Sequence, residues 1–189
     1  MALTSEAFLA FYPQFSTFAE GLVLPEYLRQ ANARFSDFEE DAEEARRLIR
    51  EMPAPRPVHF LEGTYDPDRW HRLVKGHEAD PEGGERCGIC FEERLRKSAE
   101  TAAALGFDCF TTTLTISPLK DADRLNSIGE AEGAAAGVAF LPSDFKKKNG
   151  YLRSTELSRE YGLYRQDYCG CSFSKAEAHR RNAARAAEN

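Results

Sequence analysis

Four of the chain's five cysteines fall into two tight pairs, Cys87 and Cys90 in Glu85-Arg86-Cys87-Gly88-Ile89-Cys90, and Cys169 and Cys171 in Asp167-Tyr168-Cys169-Gly170-Cys171. Thiolates two or three residues apart can converge on one metal ion or cluster, or close a strained, easily reduced disulfide. The N-terminus lacks the basic stretch and apolar run of an export signal, so metal or redox chemistry is expected ahead of structural stapling. Chemistry alone leaves three arrangements open. All four thiolates could bind one zinc ion. All four could hold an iron–sulfur cluster. Or the pairs could have separate jobs, Cys87 and Cys90 on a metal and Cys169 and Cys171 cycling as a redox disulfide. Cys109 stands alone in an apolar stretch and reads as a buried structural thiol. His59, His71, His77 and His179 read as ordinary core or surface histidines, His77 drawing interest because it precedes the first cysteine loop.

These side chains need elements to position them. Pro25 suits a first helical turn, with Tyr27, Leu28, Ala31 and Phe35 following at roughly helical spacing. Ser36 and Glu39 make a capping box that opens a helix through Met52, and Pro53-Ala54-Pro55-Arg56-Pro57 ends it. From there strands and helices alternate. Val58 to Leu61 reads as a strand, and Asp66-Pro67 caps a short helix carrying Trp70, Leu73 and Val74. A helix from about Arg86 to Leu105 places Cys87 and Cys90 in its first turn, where positions i and i+3 share a face and the helix dipole favours thiolate. Next come a strand from Cys109 to Leu114, a helix from about Asp121 to Ala136, a strand from Val138 to Leu141 and a helix from Tyr151 to Tyr161. The tail from Lys175 reads as helical or frayed. This alternation argues for an α/β layered fold with a parallel sheet and crossover helices. Thr111, Thr112 and Thr113, followed by Ser117-Pro118-Leu119-Lys120, fall where a strand gives way to a loop. Ligands of open parallel sheets bind there, although threonines are also simply good strand formers.

With 189 residues, 42 % of them hydrophobic and 30 % charged, the chain is long enough for one well-buried core. No apolar segment approaches the roughly 20 residues needed to span a bilayer, so a membrane role is not expected and a cytoplasmic protein is. The net charge of −6 is uneven: residues 139–189 carry ten Lys and Arg against six Asp and Glu. Within that basic third, Phe145-Lys146-Lys147-Lys148-Asn149-Gly150 sets an aromatic beside three lysines and a turn. It suits a polyanionic partner, or simply a solvated loop.

From about His59 to Ser174 the chain resembles the QueH-type epoxyqueuosine reductases, iron–sulfur enzymes of tRNA queuosine modification. The resemblance rests on Asp80-Pro81-Glu82-Gly83-Gly84-Glu85-Arg86-Cys87, on Gly106-Phe107-Asp108 with Phe110-Thr111-Thr112-Thr113-Leu114, and on Ser117-Pro118-Leu119-Lys120. It continues through Ser143-Asp144-Phe145-Lys146-Lys147-Lys148-Asn149-Gly150 and Leu163-Tyr164-Arg165-Gln166-Asp167-Tyr168-Cys169-Gly170-Cys171. It implies a Rossmann-like sheet of the adenine-nucleotide-hydrolase type. It also implies removal of the epoxide oxygen of epoxyqueuosine in tRNA, with electrons passing through a [4Fe-4S] cluster from a donor still to be identified. On the matching positions, Cys87 and Cys90 look like two cluster ligands and Cys169 and Cys171 like the redox-active disulfide. By position and residue type, Thr111, Thr112, Thr113 and Lys120 are candidates for substrate contacts, and Lys146, Lys147, Lys148 and Arg165 for tRNA phosphates.

The departure from the family is at the N-terminal end. The resemblance calls for an adjacent Cys-Cys pair on a first strand, and the first 86 residues contain no cysteine. Three readings follow: an altered or truncated relative, Cys169 and Cys171 completing the ligand set, or a protein that starts elsewhere. An impaired relative acting as a zinc-containing tRNA-binding module is the rival function. The expected organisation is a divergent, mainly helical segment over residues 1–57, an α/β reductase-like domain over 58–174, and a basic Ala- and Arg-rich tail over 175–189.

Overall fold

A computed structural model describes residues 22–26, 35–54, 56–63 and 66–187. Among these, strand β1 (Leu22–Glu26), helix α1 (Phe35–Glu51) and strand β2 (Val58–Glu62) form one strand–helix–strand unit. The two strands pair in parallel from Leu22 opposite Val58 to Glu26 opposite Glu62. Pro25 therefore lies in a strand, where the sequence predicts a first helical turn; a proline without an N–H is tolerated where a strand has an unpaired side. The rest of that predicted helix, Tyr27 to Ala31, falls outside the described residues. α1 stops at Glu51, with Met52 N still donating to Leu48 O at 2.9 Å, immediately before Pro53. Ala42 and Leu48 of its predicted stripe are buried.

The second unit carries the cysteines. Helix α2 (Pro67–Leu73) is capped as expected, the Asp66 side chain accepting from Arg69 N. Helix α3 (Glu85–Ala104) leads to strand β3 (Cys109–Phe110), and helix α4 (Ala122–Ala136) leads to strand β4 (Ala139–Phe140). β3 and β4 pair in parallel, Cys109 opposite Ala139 and Phe110 opposite Phe140. α3 and α4 pack on this pair through Phe91, Leu95, Ala99, Ala102, Phe110, Leu125 and Val138, all buried. The result is a mixed α/β chain whose described strands form two two-stranded parallel sheets.

β3 is shorter than the predicted strand from Cys109 to Leu114. Thr112 Oγ1 accepts from Leu114 N at 3.2 Å, and Leu114–Ile116 winds into a 3₁₀ turn. A side chain that offers the backbone a local partner competes with the ladder, and here it wins. Cys109 is half-buried at this point rather than buried, with burial and then Asp108 holding its thiol above the usual range.

Helix α5 (Gly150–Glu160) and helix α6 (Ser172–Ala187) complete the chain. The tail is helical and starts three residues before Lys175. It is pinned by Asn182 Nδ2 donating to Asp167 Oδ2 (3.0 Å) and by Ala178, buried to 1 % exposure. α1 also holds the segment that leads to the second cysteine pair: Arg47 donates to Tyr161 O at 3.0 Å, and Glu44 accepts from Tyr164 N at 2.9 Å. No helix among the described residues is long and apolar enough to cross a membrane.

Candidate redox site

Cys87 lies in the first turn of α3, as predicted from spacing, while Cys90 lies one turn further on, because the helix already starts at Glu85. Gly84 caps this helix without a side-chain bond, and the missing partner comes from the preceding loop, where Asp80 Oδ2 accepts from Arg86 N at 3.0 Å. That same oxygen lies 3.0 Å from His77 Nδ1. The backbone bond from Arg86, opposed by desolvation and helped by His77, lowers the Asp80 pKa. Arg86 is itself only 3 % exposed. It donates to His77 O and Glu78 O at 3.2 and 2.8 Å and stacks 4.7 Å over the Phe173 ring. One guanidinium thus ties the loop of the first pair to the helix that follows the second.

Arg124 of α4 braces the same loop by donating to Gly83 O at 3.2 Å. It can do so because residue 88 is glycine: a Cβ there would stand 2.0 Å from Arg124 Nη2. Gly83 N donates to Cys87 Sγ at 3.3 Å. The two sulfurs of the pair flank different apolar groups. Cys87 packs into the α3–α4 core, whereas Cys90 joins Cys169 against the buried trio Trp70, Val74 and Cys171. Desolvation, partly offset by Arg94, raises the Cys90 pKa.

The second pair sits in a turn that a left-handed Gly170 (φ 93°) makes possible. Its sulfurs lie 3.5 Å apart, both reduced. Ser174, in the first turn of α6, places its Oγ 3.0 Å from Cys169 Sγ. The Cys171 thiol donating to Cys169 is the largest influence on this sulfur. Burial opposes it, while Lys120 and Ser174 add to it, and the Cys169 pKa falls to about 5. Cys171, giving up that hydrogen bond and buried, is pushed far upward. At neutral pH this is a thiolate beside a thiol, the arrangement a nucleophilic cysteine with a resolving partner needs.

Lys120 connects the pairs. Its side chain is 9 % exposed, and its Nζ contacts Glu82 Oε1 at 2.7 Å. Burial works against the ammonium, but Cys169, Glu82 and Cys87 outweigh it and raise its pKa. The Lys120 carbonyl accepts from Lys146 Nζ at 3.1 Å, and Thr115 O accepts from the same amine at 3.3 Å. Lys146 therefore braces the Lys120 loop from inside, while Lys147 and Lys148 are exposed. Arg165 is exposed, its Nη1 donating to Ser158 Oγ at 3.2 Å and its guanidinium 5.8 Å from the Tyr151 ring centre. Of the threonines, Thr111 donates to Leu141 O at 2.7 Å and Thr112 makes the turn described above. Thr113 opens the 3₁₀ turn without a side-chain cap bond. His59 and His179 are exposed, His71 is exposed but packs edge-on against Phe173 at 5.6 Å, and His77 bonds Asp80 within the site.

Two thiolates are fewer than a cluster requires. Buried donors that suit an anionic iron–sulfur group surround the pairs: Trp70 Nε1, Arg86 Nε and Arg94 Nε have no hydrogen-bond partner. Yet among the described residues no group of three or more His, Cys, Asp or Glu side chains is placed to hold a metal ion. The donors fit a cluster and the ligand set does not, so no step below passes through one. Sequence reasoning missed Glu82, Arg86, Arg124 and Ser174. Ser174 alone carried a local signal, a serine at the start of a helix.

The site sets two cysteines in hydrogen-bond contact beside a buried lysine on a mixed α/β scaffold, an arrangement suited to thiol chemistry. A sequence model described as epoxyqueuosine reductase QueH matches residues 26–177. The chain belongs to the QueH family. Epoxyqueuosine reductase QueH of Streptococcus pyogenes serotype M1 is 50 % identical over 117 residues, 62 % of this chain and 46 % of that protein. The one of Staphylococcus epidermidis is 42 % identical over 119 residues, 62 % of this chain and 50 % of that protein. The one of Staphylococcus aureus is 39 % identical over 176 residues, 91 % of this chain and 68 % of that protein. The chain thus spans about half the length of the first two relatives, and the family match begins within β1.

Proposed function

We propose that this chain reduces epoxyqueuosine to queuosine in tRNA, with Cys169 and Cys171 as the pair that carries the electrons. The observation that supports it most is the 3.5 Å thiolate–thiol contact beside Lys120, in a member of a family named for this reduction. The chemistry balances. The epoxide oxygen leaves as water, which takes two electrons and two protons. Closure of the thiolate–thiol pair to a disulfide supplies both electrons and one proton, the second proton comes from solvent, and an external electron donor reopens the disulfide. Lys120 holds the Cys169 charge within a site it shares with Glu82. Thr112, Thr113 and Lys120 line the approach for the nucleoside, and Thr111 fixes the strand end. Lys147, Lys148 and Arg165 contact tRNA phosphates, with Lys146 holding the loop that carries two of them.

Cys87 and Cys90 are proposed as two ligands of a [4Fe-4S] cluster. The test is the full chain purified without oxygen, analysed for iron and acid-labile sulfide and incubated with epoxyqueuosine-containing tRNA and a low-potential reductant. Queuosine formed is the expected result, with any iron found lost when Cys87 and Cys90 are both replaced. Zinc alone, or no metal, together with no queuosine, overturns the proposal.

A further inference from the structure

Four contacts converge on one residue that neither spacing nor family likeness singled out. Ser174 is 5 % exposed in the first turn of α6. Its Oγ accepts from Cys169 N at 3.1 Å and lies 3.0 Å from Cys169 Sγ. The same hydroxyl lies 3.2 Å from Cys171 O, and the Ser174 backbone N–H donates to Cys171 Sγ at 3.3 Å. One side chain and its own amide therefore touch both sulfurs and the backbone on each side of Gly170. A short turn with a left-handed glycine at its centre has little stiffness of its own.

We propose that Ser174 is the positioning residue of the dithiol, holding the two sulfurs together and stabilising the reduced pair against the disulfide. The inference rests on the redox role proposed above for Cys169 and Cys171. The reason is a difference in acceptor strength. A thiolate is a strong hydrogen-bond acceptor and a disulfide sulfur is a weak one. When the pair closes, the hydroxyl keeps its place but loses most of its hold on the Cys169 sulfur. Its hydrogen bond favours the reduced form, which makes the pair a stronger oxidant than the same loop without it.

The experiment is thiol–disulfide equilibration of the full chain with reduced and oxidised glutathione, each cysteine pair read by peptide mass mapping. In this exchange Cys169 attacks one sulfur of glutathione disulfide and expels one glutathione thiolate. Cys171 then attacks the mixed disulfide, releasing the second glutathione and its own proton to solvent. Loss of a hydrogen bond to a charged group corresponds to roughly a tenfold change in equilibrium. Ser174→Ala is expected to move the equilibrium about tenfold toward the intramolecular disulfide. Ser174→Thr, which keeps the hydroxyl, is expected to stay close to the parent, and Ser174→Val, of the same shape without it, to follow Ser174→Ala. The Thr and Val comparison decides the matter where Ser174→Ala does not fold. A Ser174→Ala equilibrium within about twofold of the parent, a shift toward the dithiol, or Thr and Val variants that behave alike would overturn the inference. A parent chain in which Cys169 and Cys171 never pair would instead overturn the redox reading on which it stands.

Discussion

The two cysteine pairs share residue type and tight spacing, and the fold gives them opposite characters. Cys87 and Cys90 lie in a helix turn, their sulfurs dispersed between the α3–α4 core and the Trp70 cluster, and burial holds Cys90 in the thiol form. Cys169 and Cys171 lie in a glycine turn, with a neighbouring thiol, Lys120 and Ser174 directed at one sulfur. Spacing alone says that two sulfurs can meet. What surrounds them decides whether the pair waits for an electrophile or for a metal.

The comparison breaks most sharply at the nucleophile. Cys169→Ser is expected to abolish the intramolecular disulfide and reduce epoxyqueuosine turnover to background, while leaving Cys87 and Cys90 reactive under denaturing conditions; mass mapping and a turnover assay read both. Lys120→Met comes next. It removes the cation that helps hold the Cys169 charge, so the midpoint of Cys169 alkylation moves up. At pH 6 the alkylation rate drops about tenfold for each unit by which that midpoint rises above 6. A Lys120→Met profile that overlays the parent would show that hydrogen bonds alone set the Cys169 charge.

The pH dependence of stability separates Cys169 from Cys90 in sign. Between its native value of about 5 and the ordinary 9.0 of a thiol, Cys169 is ionised in the folded chain and protonated in the unfolded one. Its contribution to stability therefore grows as pH rises through this window and is lost as pH falls through about 5. Cys90, raised instead, costs stability above the ordinary thiol value, because the unfolded chain releases its proton first. Chemical denaturation of the parent and Cys169→Ser across this range is expected to show the rising component in the parent only.

Two smaller effects sharpen the picture. Gly170→Ala forces a side chain into left-handed backbone and is expected to cost about 1–2 kcal/mol by denaturant melting, with a slower closure of the pair. Smallest are the surface lysines. Lys147→Ala or Lys148→Ala is expected to lower the salt slope of tRNA binding by about 1 each. Lys146→Ala, whose amine is bound to internal oxygens, should instead disturb Lys120 and the alkylation of Cys169.

Much of this was legible in the sequence. Helices with strong caps and stops, such as α2 after Asp66-Pro67 and α1 before Pro53, carried their signals locally. So did the placement of Cys87 in a first turn, with Cys90 one turn on. What was missed is non-local. β1 is a strand because Val58 to Glu62 pair with it, a fact that Pro25 and its neighbours could not announce. The strand at Cys109 stops early because Thr112 turns back on its own backbone. Within the site, Glu82 meets Lys120 across 38 residues, and Arg86 meets Phe173 on a helix far along the chain. Periodicity has no access to either contact.

The most direct test of the account is site-resolved alkylation of the five cysteines as a function of pH on the reduced full chain. The account predicts that Cys169 reacts down to a midpoint near pH 5, while Cys171 and Cys90 stay unreactive until above the ordinary thiol value. Cysteines that titrate together near the ordinary thiol value would contradict the separation of the two pairs and the redox role built on it.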